Sequence, residues 1–101
     1  PDRVETAVPK LLPLNAFTTT NGSTTISVNE PDHGRSTGDT VRFRDAVNVG
    51  GVAGSTINLA AGYTITKTND DNYTFATATT SSITETGGGG SASAGPVTVT
   101  A

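Results

Sequence analysis

The sequence predicts a small all-β domain, an antiparallel β-barrel or sandwich of about six to seven short strands. Three observations lead there. Threonine and glycine are abundant; the first favours strands, and the second serves turns and bulges. Strong helix formers such as Leu, Glu, Lys and Gln are scarce. Apolar residues recur at every second position in several short runs, which is the period of a half-buried strand.

A chain of 101 residues suits one domain with one core. Only 33% of residues are hydrophobic and 15% charged, so the core must be modest and the outer faces rich in hydroxyls. The net charge is −3, and the six Lys and Arg are scattered, without the basic stripe of a nucleic-acid binder. Arg42 and Arg44 form the one local pair; at period two around Phe43 they share an outer, solvated strand face. Cysteine is absent, which removes disulfides, thiolate metal sites and thiol catalysis and leans toward assembly in a reducing cell. No signal peptide is expected, and no apolar run approaches membrane-spanning length. Pro1 in place of Met fits either removal of an initiator Met or excision from a longer chain.

Residues 1–15 read as an extended N-terminal arm. They hold Pro1, Pro9 and Pro13, which resist regular pairing, yet carry Val4, Val8, Leu11, Leu12 and Leu14. Such an arm either docks on a neighbour through those apolar side chains or packs across its own domain. The β domain is expected over 16–101.

Phe17–Thr20 and Ser23–Val28 flank Asn21-Gly22, a strong hairpin signal, with Ile26 and Val28 facing the core. Residues 29–39 are a run of turn formers. Thr40–Arg44 alternates as a strand with Val41 and Phe43 inward. Val47 to Val52, interrupted by Gly50 and Gly51, suggests a bulged or short strand and then a loop; a helical turn around Ser55 to Ala60 also fits. Gly62–Thr68, with Tyr63 and Ile65 inward, and Tyr73–Ala78, with Tyr73 and Phe75 inward, form a second hairpin across Asn69–Asn72. Residues 87–95 read as a flexible Gly/Ser-rich loop, delivering Pro96–Thr100 as a last strand with Val97 and Val99 inward.

Candidate chemistry is sparse. His33, Ser36 and Asp39 are the types of a hydrolytic triad, but they lie within seven residues of one turn, whereas triads are assembled from separate parts of a fold. His33 is better read as a shaper of the turn, with Gly34 at positive φ. One His and no Cys do not make a zinc site. Asn69, Asp70, Asp71 and Asn72 lack the spacing and closing Glu of a calcium loop and are ordinary turn residues. Gly87–Gly90 lacks the Lys-Ser/Thr pair and helix of a phosphate cradle. The five aromatics include no Trp, and most are claimed by the core, which leaves little for a lectin platform. No catalytic residue, metal or cofactor is therefore expected.

The run His33-Gly34-Arg35-Ser36-Thr37-Gly38-Asp39-Thr40-Val41-Arg42-Phe43, then Val49-Gly50-Gly51, Gly62-Tyr63-Thr64-Ile65-Thr66 and Asp71-Asn72-Tyr73-Thr74-Phe75, resembles a β-barrel module of tailed-bacteriophage structural proteins. The resemblance covers about residues 17–78. It implies a non-enzymatic virion component of the tail or head–tail connection, assembled in the host cytoplasm, with capsid decoration or a carbohydrate- or receptor-binding display module as alternatives. Its partners would be other copies, in a homo-oligomer, and other virion proteins, with neither nucleic acid nor membrane. Arg35 stands where the pattern is usually apolar, which implies an exposed turn or an acidic partner. Expected partner contacts are Val4, Val8, Leu11, Leu12, Leu14, Arg35, Val97 and Val99. The last two belong to a strand that completes its own sheet or adds to a neighbour's.

Overall fold

The computed structural model describes residues 10–88 and 92–95. Among them lie nine short strands: β1 (Lys10–Leu11), β2 (Phe17–Thr19), β3 (Thr25–Asn29), β4 (Thr40–Arg44), β5 (Tyr63–Thr64), β6 (Thr66–Asn69), β7 (Asn72–Ala76), β8 (Glu85–Gly87) and β9 (Ser93–Gly95). A single helical turn, α1 (Gly54–Ile57), lies between β4 and β5. All strand pairs are antiparallel and fall into two sheets, ordered β1-β9-β4-β5 and β6-β7-β3-β2-β8. Among the described residues the two sheets stay separate, so the architecture is the sandwich and not a closed barrel.

The alternating runs form strands where expected. Ile26 and Val28 on β3, Val41 and Phe43 on β4, and Tyr73 and Phe75 on β7 are buried, while their neighbours face outward. Aromatic rings from both sheets meet at the centre. Phe43 lies 5.3 Å from Phe17 and 4.8 Å from Phe75, and Tyr63 lies 4.6 Å from Phe75. Each such pair adds about 0.5–1.5 kcal/mol beyond its buried area.

Several expectations are revised. The run 62–68, read as one strand, serves both sheets. Tyr63 and Thr64 pair with β4, Thr66 onward pairs with β7, and buried Ile65 marks the corner. The Ile65 N–H donates to the Asp39 carbonyl and its own carbonyl accepts from Gly38 N–H, so the chain changes sheets without orphaning backbone groups. The hairpin turn there is tighter than four residues, since Asn69 already pairs with Asn72. Val49 and Val52 form an isolated bridge rather than a strand, and the helical turn sits at Gly54–Ile57.

The stretch read as a flexible loop over 87–95 is partly sheet. Gly87 ends β8, and β9 lies between β1 and β4, with Ala92 and Ala94 fully buried. Small side chains are what that place requires, because Ala94 is paired directly with Phe43. The expected last strand over Pro96–Thr100, with Val97 and Val99, lies outside the described residues.

The arm expected over 1–15 reaches the domain before its end. Lys10 and Leu11 pair with β9, and the Leu12 N–H donates to the Ala92 carbonyl. Residues 1–9, with Val4 and Val8, lie outside the described residues.

Candidate functional site

The most elaborate polar arrangement surrounds Glu30, at the end of β3. Ile26, Val28 and Glu30 share one parity, so the strand that buries two aliphatics also carries a carboxylate inward, to 1% exposure. A buried carboxylate needs partners. Tyr73 donates its hydroxyl to Oε1 at 2.6 Å, and Arg35 donates Nε to Oε1 at 3.0 Å and Nη2 to Oε2 at 3.2 Å. The fork of Arg35 thus meets the carboxylate at both oxygens, the geometry that makes such pairs directional.

His33 completes the cluster. Its Nδ1 accepts the Arg35 N–H at 2.8 Å, so the ring proton sits on Nε2, which donates to the Asn69 carbonyl at 2.7 Å. The ring also stands edge-on to Tyr73, with centroids 5.1 Å apart. Gly34 takes φ +65°, the conformation the turn was expected to need. Burial by itself pulls the Arg35 guanidinium down, but the hydrogen bonds and charge of Glu30 outweigh it and hold the group above its ordinary value. Burial pushes the Tyr73 hydroxyl far up, and the adjacent Glu30 charge adds to that.

These groups are engaged in holding the loop 30–39 against the β6–β7 hairpin. Asp32 N–H donates to Asp71 Oδ1, His33 N–H to the Asp70 carbonyl, and Glu30 N–H to the Asp71 carbonyl. Ser36 and Asp39 close their own turn, with Ser36 N–H donating to Asp39 Oδ2. No hydrogen bond joins His33 to either of them among the described residues, so the three triad-like side chains are not brought together. A shallow depression of about 180 Å³ lies among Asn48, Gly51, Val52 and Ala53, where Asn48 Oδ1 already accepts the Gly54 N–H.

The expected partner contacts separate. Leu12 is 3% exposed and belongs to the domain's own core, which removes it from any docking surface. Leu11 and Leu14 are 66% and 72% exposed. Arg35 has its acidic partner within the chain, in Glu30, and its side chain is 12% exposed. Glu30 and Tyr73 were not anticipated as a polar pair. The parity of Glu30 with Ile26 and Val28 is the signal that finds it.

A second basic feature lies on the outer face of the four-stranded sheet. Arg42 and Arg44 project there from β4, opposite Gly95 and Ser93 of β9, and Leu11 of β1 continues the Arg44–Ser93 row. The Nε of Arg42 is shielded from water and has no hydrogen-bond partner among the described residues.

No protein-family profile and no curated protein match this sequence. Among solved structures, phage phi92 endosialidase matches over 86% of this chain with a TM-score of 0.61 and 22% identity. The match takes up 12% of that protein, so this chain spans about an eighth of its length. At that identity the likeness establishes a shared all-β fold with a segment of a phage protein.

Proposed function

We propose that this chain is a non-enzymatic structural module of a phage virion, in the tail or head–tail region, acting by self-assembly and by docking on other virion proteins. The observation that carries the reading is the recurrence of the fold within a segment of a phage protein. Two features of the molecule support it. Two of the groups capable of acid–base chemistry, Glu30 and His33, are engaged in internal bonds: Glu30 with Arg35 and Tyr73, His33 with backbone groups. The N-terminal edge also presents exposed Leu11 and Leu14 beside β1, where the chain enters the sheet. A repeated small module of this kind works through geometry, in symmetric assemblies.

Light scattering after size-exclusion chromatography tests the reading, on the full chain and on residues 10–101. Cutting before Lys10 keeps β1 and the core residue Leu12. A defined oligomer of the full chain at millimolar concentration is the expected result. A monomer throughout, or hydrolysis of sialic-acid polymers by the purified chain, contradicts it.

A further inference from the structure

The chain has one Asn-Gly pair, Asn21-Gly22, and it lies in the turn between β2 and β3. Asparagine before glycine is chemically labile. The backbone nitrogen of the second residue can attack the side-chain amide of the first, and glycine has no Cβ to obstruct the approach.

The two reacting groups stand in different circumstances. Asn21 is exposed, and its carboxamide has no hydrogen bond among the described residues. The carboxamides of Asn48, Asn58, Asn69 and Asn72 are each engaged with a backbone group. The nucleophile at Asn21 is the part that is held. Gly22 N–H donates to the Ser81 carbonyl at 2.9 Å. Its neighbours are held as well: Asn21 N–H donates to Thr84 Oγ1 at 3.0 Å, and Ser23 N–H to the Thr20 carbonyl at 3.0 Å. Ser81 N–H returns a bond to the Ser23 carbonyl at 2.9 Å, so segment 81–84 clasps the turn from both sides. Crowding gives no protection here, since Gly22 is exposed and a Cβ built on it would meet nothing within 4 Å. A nitrogen whose proton is donated to a carbonyl is harder to deprotonate, and it is fixed toward Ser81.

We infer that Asn21 is a deamidation site that the native fold keeps shut, with the Gly22–Ser81 hydrogen bond as its catch. When the clasp opens, the Gly22 nitrogen loses its proton to solvent base and bonds to Asn21 Cγ. The Cγ–Nδ2 bond breaks, and ammonia leaves with a proton taken from solvent. Water then opens the cyclic imide at either carbonyl, giving aspartate or isoaspartate at position 21. One water is consumed and one ammonia released. Both products add a negative charge, and isoaspartate also lengthens the main chain by one carbon. That lesion falls in the hairpin that supplies Phe17, Ile26 and Val28 to the core. The inference is independent of the assembly reading above.

The test incubates the full chain at mildly alkaline pH, folded in buffer and unfolded in guanidinium chloride, and follows deamidation by peptide mass spectrometry. In guanidinium, Asn21 should react first among the asparagines. In buffer its rate should be at least about tenfold lower, because reaction waits on local opening. Thr84→Val removes the acceptor of Asn21 N–H from an exposed position. It should raise the folded rate about fivefold, the fold-change of one lost neutral hydrogen bond, and leave the rate in guanidinium unchanged. Ser81→Ala keeps the carbonyl catch and removes a hydroxyl that has no partner among the described residues, so both rates should stay as they were. Equal rates in buffer and guanidinium overturn the inference. So does a folded Thr84→Val rate equal to the original, or another asparagine reacting first in the unfolded chain.

Discussion

The two outer strands of the five-stranded sheet are covered by unlike chemistry. Along β6 the cover is polar: Thr37 Oγ1 accepts the Lys67 N–H at 2.9 Å, and the loop that brings it there is pinned by Glu30, His33 and Arg35. Beside β8 the device is a close backbone approach at its two ends. Gly50 N–H donates to Glu85 Oε1, Ser82 N–H to the Gly50 carbonyl, and Val47 N–H to the Gly88 carbonyl. A side chain at Gly50 would collide with Thr19, and one at Gly88 would meet Phe17 Cδ2 at 3.0 Å. An open sheet edge invites pairing with any other strand, and both devices crowd the approach to theirs. One uses charges that need partners; the other uses the absence of a side chain. The difference predicts that the polar side can be repaired by compensating changes and the glycine side cannot.

The largest effect is expected at Gly50. Gly50→Ala adds a Cβ into Thr19 at φ +58°, and the strain and overpacking together should cost about 4 kcal/mol, read by chemical denaturation. A loss under about 1 kcal/mol would mean that the loop relaxes and does not seal β8. Next comes Arg35→Leu, which takes the guanidinium fork from both oxygens of the buried Glu30 carboxylate and should cost about 3 kcal/mol. The double replacement Glu30→Met with Arg35→Leu should recover more than half of that, because the buried carboxylate is removed together with its guanidinium. A double variant no better than the single one would remove the contrast between the two sides.

Smaller is Thr19→Val. Thr19 Oγ1 donates to the Ile83 carbonyl and accepts the Glu85 N–H, so the change leaves two backbone groups short and should cost about 1–2 kcal/mol. The smallest effect is on pH. The Tyr73 hydroxyl is raised in the folded chain by burial and then by Glu30, so the folded state holds this proton more tightly than the unfolded one. Its contribution is fully present below the ordinary tyrosine value of about 10 and is lost as pH rises further. Tyr63, also raised by burial, adds a share of the same sign. Tyr73→Phe should therefore flatten the alkaline fall in melting temperature between about pH 9.5 and 11.

The polar side was the more legible in the sequence. Alternation gave β3, β4 and β7 with their inward residues, and a turn-forming run announced the loop between them. What escaped was the continuation of that alternation to Glu30, because a charged residue before a proline reads as the start of a loop. The sheet change at Ile65 also escaped, since one alternating run looks the same whether it pairs with one partner or two. The glycine side was nearly silent. Close approach around Gly50 and Gly88 leaves no period to read, and β8 is a three-residue strand with no apolar alternation. Ala92 and Ala94 do alternate with serines, but small residues among glycines resemble a linker until Phe43 is seen beside them. Of the expected contact residues, Leu12 could not be told from Leu11 and Leu14 by composition; the sheet register separates them.

The claim that both edges are sealed within the monomer is tested most directly by amide hydrogen exchange, on dilute protein at high salt where copies are apart. Ile65 and Lys67 on one side, and Val47, Gly50 and Ser82 on the other, should exchange at least a hundredfold more slowly than an unprotected amide. Protection equal to that of an open chain along either strand would contradict the account and leave that edge free to pair.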